Sequence, residues 1–173
     1  HWRSGGQVIG NHTLVYNNQT IDPKRASVTG LPFGQIGVYA FNAMIVDTEI
    51  DHYTGAIEVK EAWSATDVGK AINPGLVEGQ LEGGFVQGLG YALTEEMVWD
   101  GARLANPNLM DYKVPGAMDV PYAINSIIVE NPEPDGPFGA KGVGEIGLVP
   151  VPAAIANSVR NAAGIDLCQL PLT

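Results

Sequence analysis

From Val38 to Ile50 the side chains fall into two interleaved sets. Val38, Ala40, Asn42 and Met44 form one and Tyr39, Phe41, Ala43 and Ile45 the other, mixing aromatic and β-branched residues at a period of two. Successive side chains of a strand point to opposite faces, so this alternation predicts a strand. Asp51-His52-Tyr53-Thr54-Gly55 interrupts it, and a second run extends from Ala56 to Ser64. The pair predicts a long β-hairpin with its turn at 51–55. Upstream, Gln7 to Tyr16 alternates loosely enough for a strand closed by Asn17-Asn18, and Thr29 to Gly37 reads as loop. Tyr122 to Glu130 reads as a buried strand.

At Pro74 the period changes. Leu76, Leu81, Phe85, Leu89 and Leu93 recur at three-to-four spacing, which predicts a helix from Pro74 to about Thr94, with the proline suited to its first turn. Gly79, Gly83, Gly84, Gly88 and Gly90 lie inside it. Each costs up to about 1 kcal/mol of helix propensity relative to alanine, so the glycines require a reason. Close helix packing is one, and a backbone that must approach a large ligand is another. After Glu95 to Trp99 and an Asp100-Gly101 turn come a coil from Asn106 to Pro121 and a Pro/Gly loop from Asn131 to Lys141. A second helix is predicted from Val151 to Ala163, closed by Gly164. Hairpins and a mixed sheet with two packed helices make the expected class α+β rather than a doubly wound sheet.

The 173 residues, 45% apolar and 16% charged, suit one folded domain over 1–173 and exclude general disorder. A net charge of −10, with nine scattered Lys and Arg, argues against nucleic acid as a partner. One cysteine, Cys168, and three dispersed histidines make neither an internal disulfide nor a zinc site, which points to the cytoplasm. The longest nearly apolar stretch, Ile146 to Ala156, carries two prolines and falls short of the roughly 20 residues of a membrane span. His1 at the start and Thr173 directly after Leu170-Pro171-Leu172 suggest part of a larger polypeptide or a processed subunit.

Candidate chemistry concentrates in Gly136-Pro137-Phe138-Gly139-Ala140-Lys141-Gly142-Val143-Gly144-Glu145. Glu145 ends a glycine run just before a helix, where a carboxylate is a candidate base or, alternatively, a first-turn residue helped by the helix dipole. Gly142 and Gly144 leave room for something bulky against the backbone. Gly142 to Gly147 also satisfies G-x-G-x-x-G, with Asp166 about twenty residues on. That fingerprint must emerge directly from a strand, whereas a Pro/Gly loop precedes it here and Pro150 and Pro152 interrupt the start of the helix. Lys141 lacks the Ser/Thr neighbour of a P-loop.

Three blocks together resemble the molybdenum hydroxylases of the xanthine dehydrogenase and aldehyde oxidase type. They are Asp67-Val68-Gly69-Lys70-Ala71-Ile72-Asn73-Pro74 running into Gly79 to Gly90, then Asp111-Tyr112-Lys113-Val114-Pro115 with Asp119-Val120-Pro121, and finally Gly139 to Glu145. The resemblance implies the C-terminal part of a molybdopterin-binding subunit. It implies oxidation of an N-heteroaromatic, purine-like compound or an aldehyde with water as the oxygen source, and Glu145 as the base. Gln80 is then expected near the molybdopterin, with a helix-surface glutamine as its alternative. Backbone groups of Lys141, Gly142, Val143 and Gly144 are expected beside the cofactor, where side-chain chemistry has little room. Phe138 becomes a candidate substrate contact, with a core aromatic as the alternative. Asp67 and Glu82 are better read as structural, and Tyr112 and Lys113 as packing and surface.

Other features depart from the family pattern. The family's molybdenum domain is several times longer, and its earlier glycine-rich and arginine-bearing cofactor segments have no counterpart here. With Cys168 alone, no cysteine set for an iron-sulfur cluster exists. The chain is therefore expected to share molybdenum-molybdopterin with the remaining molybdopterin-binding segment. The 2Fe-2S clusters and FAD are expected on iron-sulfur and flavin partners. A non-catalytic assembly subunit is the alternative function.

Overall fold

The computed structural model of the protein describes residues 38–134 and 136–172. Its elements are β1 (Asn42–Ile50), β2 (Ile57–Asp67), α1 (Pro74–Leu93), β3 (Trp99–Asp100), β4 (Arg103–Leu104), β5 (Ala123–Val129), a 3-10 turn (Pro137–Gly139) and α2 (Val151–Ala163). The predicted strand at 7–16 and loop at 29–37 lie outside the described residues.

β1 and β2 form the expected antiparallel hairpin, although β1 starts at Asn42 rather than Val38 and β2 continues to Asp67. Asp51 organises the turn. Its Oδ1 accepts the Tyr53 and Thr54 amides at 2.7 and 3.2 Å, and Gly55 adopts a φ of 76°. β5 pairs parallel to β2, giving the order β1-β2-β5. Parallel neighbours need a crossover, and α1 provides it. β3 and β4 pair across Gly101, which adds a two-residue hairpin where the sequence showed only a turn.

Register assigns the two sheet faces. Val46 pairs with Ala62, and Ala62 with Ile124, on the face that both helices cover. α2 turns Val151, Ile155 and Val159 inward at i, i+4 and i+8, and α1 contributes Phe85, Leu89 and Ala92 to the same core. Burying side chains such as Phe85 and Ile155, both 0% exposed, stabilises the fold by roughly 1.5–3 kcal/mol each. The opposite face leaves Ile45 and Ile127 exposed beside Phe41 and Val129.

Helix ends follow the sequence closely. Asn73 accepts the Leu76 amide, Pro74 occupies the first turn, and Thr94 caps the far end of α1 through its amide to Gly90 O. Gly164 closes α2 with a left-handed φ of 71°, as the Ala163-Gly164 boundary predicted. α1 is buried along one face only: Gly84, Gly88 and Gly90 pack inward, whereas Gly79, Gln80, Glu82 and Gly83 are exposed.

Candidate active site

The loop that sequence singled out lies across the carboxyl ends of the parallel pair. Val68 N donates to Val129 O at 3.1 Å, Lys70 N to Gly139 O at 2.7 Å and Lys141 N to Val68 O at 2.9 Å. Gly69 and Ala140 bridge in antiparallel fashion. This crossing depends on Gly69, whose φ is 66° and whose absent Cβ would sit 2.4 Å from Gly139 O. Glu130 adds a second tie, accepting the Ala71 amide at 2.9 Å and the Lys70 ammonium at 2.8 Å. Both donors hold the Glu130 carboxyl below its ordinary value, the Lys70 bond being the larger cause.

Lys141 does not offer its ammonium to the open side. Its Nζ lies 2.6 Å from Asp67 Oδ2 and 3.1 Å from Tyr39 O, and the two paired side chains are only 5% and 9% exposed. Asp67 Oδ1 accepts the Gly69 amide at 3.0 Å. Burial raises the Asp67 carboxyl pKa. The Lys141 bond and charge, the Gly69 amide and the Asn131 side chain outweigh that effect and hold it below the ordinary value. The structural reading of Asp67 therefore holds, and the Lys141 ammonium is taken up by Asp67 and Tyr39 O.

Beyond Lys141 the chain opens. Gly142, Gly144 and Glu145 are exposed, Val143 is half-buried, and a Cβ on either glycine would meet nothing within 4 Å. The segment is fixed again at its far end. Ile146 O accepts from Asn42 Nδ2 at 3.2 Å, and Gly147 lies so close to α1 that a Cβ would be 3.0 Å from Leu81 O. Gly84 is the facing position on α1, with its own missing Cβ 3.1 Å from the Gly147 carbonyl carbon. At least one glycine of the helix is thus explained by close packing against the glutamate-bearing loop.

Glu145 itself stands in a turn, its carbonyl accepting the Leu148 amide at 3.0 Å. α2 begins only at Val151 and has no acidic residue in its first turn. The helix-dipole alternative for Glu145 is therefore corrected: the carboxylate lies outside the helix. The G-x-G-x-x-G match likewise comes after the 3-10 turn and loop rather than a strand.

A recess of about 250 Å³ brings Gln80 of α1 together with Lys141 and Val143, and Asn73 and Leu76 line it from the start of the helix. Gly142, Gly144, Glu145 and Phe138 are not among its lining residues. Phe138 is 90% exposed with a φ of 54° in the 3-10 turn, so the core-aromatic alternative for it is corrected. A larger groove of about 870 Å³, lined by Lys60, Leu93, Met118 and Tyr122 among others, contains none of the predicted site residues. Tyr112 and Lys113 take the packing and surface roles expected, through Glu95 Oε2 and Met110 O respectively.

The sequence reading missed Asn42, Ser64 and Thr66. Their signal was available: polar residues stand at positions whose strand parity belongs to the core. Asn42 Nδ2 lies 2.9 Å from Thr66 Oγ1 and 3.2 Å from Ser64 Oγ, and Ser64 and Thr66 are 2% and 0% exposed.

A family profile described as the molybdopterin cofactor-binding domain matches residues 6–121. The putative xanthine dehydrogenase molybdenum-binding subunit of Escherichia coli is 40% identical over 136 residues, covering 78% of this chain and 18% of that protein. The nicotine 6-hydroxylase large subunit of Paenarthrobacter nicotinovorans is 42% identical over 138 residues, covering 76% and 16%. Among solved structures, the aldehyde oxidoreductase of Desulfovibrio gigas superposes with a TM-score of 0.71 at 33% identity, covering 78% of this chain and 14% of that one. The chain spans less than a fifth of the length of each of these proteins.

Proposed function

The chain belongs to the molybdenum hydroxylase family, and from that premise we propose that it forms one side of the catalytic site, with Glu145 as the general base. The observation that carries the reading is the recess where Gln80 meets Lys141 and Val143. It adjoins an exposed glycine segment that ends in a carboxylate and is anchored at both ends.

These residues fit a molybdopterin edge. Gln80 can both donate and accept through its amide. Lys141 and Val143 line the same recess, and the open glycines let a large planar group approach without a side-chain clash. When bound, the cofactor supplies the two-electron redox centre for hydroxylation, with water as the source of oxygen. The net change is C–H plus water giving C–OH, two protons and two electrons. Glu145 accepts one of those protons at a carboxylate oxygen, which leaves the attacking oxygen electron-rich. 2Fe-2S clusters and FAD on partner chains or domains would supply the acceptors for the two electrons.

The substrate class is an N-heteroaromatic or an aldehyde, in line with relatives named for xanthine, nicotine and aldehydes. Phe138, exposed beside the loop, is a candidate substrate contact. The remaining molybdopterin-binding segment is the partner best suited to the apolar sheet face around Phe41 and Ile45, which are 70% and 69% exposed. Among the described residues no helix is long and apolar enough to cross a membrane.

The test is Glu145→Gln in the assembled, molybdenum-loaded enzyme. Loss of a general base should slow turnover by about 10²–10⁴-fold while molybdenum content stays unchanged. Turnover at the native rate would show that Glu145 is not the base.

A further inference from the structure

The helix-facing side of β1 and β2 changes character along its length. Val46 and Ala62 are packed in the core, but toward the other end of the sheet the same face carries Asn42, Ser64 and Thr66. Buried polar side chains are costly unless satisfied, and apolar residues would fill this position without that cost. The three satisfy one another. Asn42 Nδ2 donates one hydrogen to Thr66 Oγ1 at 2.9 Å, Ser64 Oγ donates to Asn42 Oδ1 at 3.3 Å, and the two hydroxyls lie 3.3 Å apart.

One bond leaves the cluster. Asn42 Nδ2 also donates to Ile146 O at 3.2 Å, across 104 residues of sequence. The carbonyl it holds belongs to the residue directly after Glu145, and the next residue, Gly147, is wedged against the backbone of α1. On the near side, Lys141 is fixed by Asp67. Fixing the Ile146–Gly147 peptide therefore restricts the direction in which Glu145 leaves the chain.

We propose that Asn42, oriented by Ser64 and Thr66, is a positioning residue for Glu145. The proposal rests on the reading of Glu145 as the base. Asn42 donates to the loop backbone, and its contribution appears in the chemical step rather than in substrate binding.

The experiment compares variants of the assembled, molybdenum-loaded enzyme. Asn42→Leu keeps the number and branching of the side-chain heavy atoms and removes the donor, and Asn42→Ser serves as the gentler variant if the leucine prevents folding. Val46→Ala controls for sheet destabilisation, because it lies on the same strand face but touches no part of the loop bond. Small misplacements of a reacting group can cost about 10²-fold, so kcat should fall about ten- to a hundred-fold with KM and molybdenum content unchanged. Val46→Ala should retain native kcat. An unchanged kcat in the Asn42 variant, or a loss matched by Val46→Ala, would overturn the positioning role. Glu145→Gln, run in parallel, separates the two ideas. If Glu145→Gln is inactive while the Asn42 variant is fully active, only the positioning fails. If Glu145→Gln is fully active, the base assignment fails and the positioning proposal with it.

Discussion

Replacing Asp67 by asparagine tests how the loop is held. Asparagine keeps the shape and an oxygen for the Gly69 amide, so the change removes mainly the charge opposite Lys141. The ammonium then remains at 5% exposure with Tyr39 O as its other acceptor. Removing one partner of a buried pair costs about 3–5 kcal/mol, chiefly because the remaining charge is left uncompensated. The retained bond to Tyr39 O places the expected loss near the lower end, about 3 kcal/mol. Replacing both partners, as in Asp67→Leu with Lys141→Met, should cost much less, since it leaves no buried charge behind.

The assay is denaturant unfolding at several pH values, followed by tryptophan fluorescence, to which Trp63 on the same strand contributes with Trp2 and Trp99. Because the folded Asp67 carboxyl lies below its ordinary value of 3.8, the unfolded chain binds more protons as acid is added. Its stabilisation is complete above that value and is lost as pH falls through the lower folded value. The gap between native protein and Asp67→Asn should be constant from about pH 7 to 5 and narrow below about pH 4. A loss within about 0.5 kcal/mol at pH 7 would place the pair among surface ion pairs and refute the anchoring role.

The glycines of α1 make two opposite predictions. Gly88→Ala should destabilise by about 1–3 kcal/mol, because its Cβ would lie 2.5 Å from Val151 Cβ at the junction of the two helices, and urea midpoints should show it. Gly79→Ala meets nothing within 4 Å and should stabilise the chain by about 0.5–1 kcal/mol; a destabilised protein would contradict the open face.

Elements governed by local spacing were legible in the sequence. Asn73-Pro74 marked the start of α1, the Ala163-Gly164 boundary marked the end of α2, and the alternation around Asp51 to Gly55 marked the hairpin. The parallel pairing of β2 with β5 had no local signal, because a strand's period reports its faces and not its neighbour. The same limit hid the anchors. Asp67 meets Lys141 across 74 residues, and Asn42 meets Ile146 across 104. Asn42 nevertheless left a trace as a polar residue within an apolar alternation, paired in register with Thr66. That trace marks a place where the core is built for something other than hydrophobic packing.

The placement of those anchors restrains the backbone of the glycine-rich segment that carries Glu145. A glycine run is the most freely rotating backbone available, and ordering a residue costs about 1–2 kcal/mol in conformational entropy. Were Gly142 to Glu145 tied at one end only, that cost would fall at each encounter with a ligand. With Lys141 tied to β2 on one side and Ile146 and Gly147 tied to β1 and α1 on the other, much of the ordering is completed when the chain folds. The glycines then leave the middle of the span free of side chains, so a large group can reach the backbone. In the proposed role of Glu145 as base, the anchored ends restrict the backbone that carries the carboxylate and the glycines leave access, the division a positioned base requires.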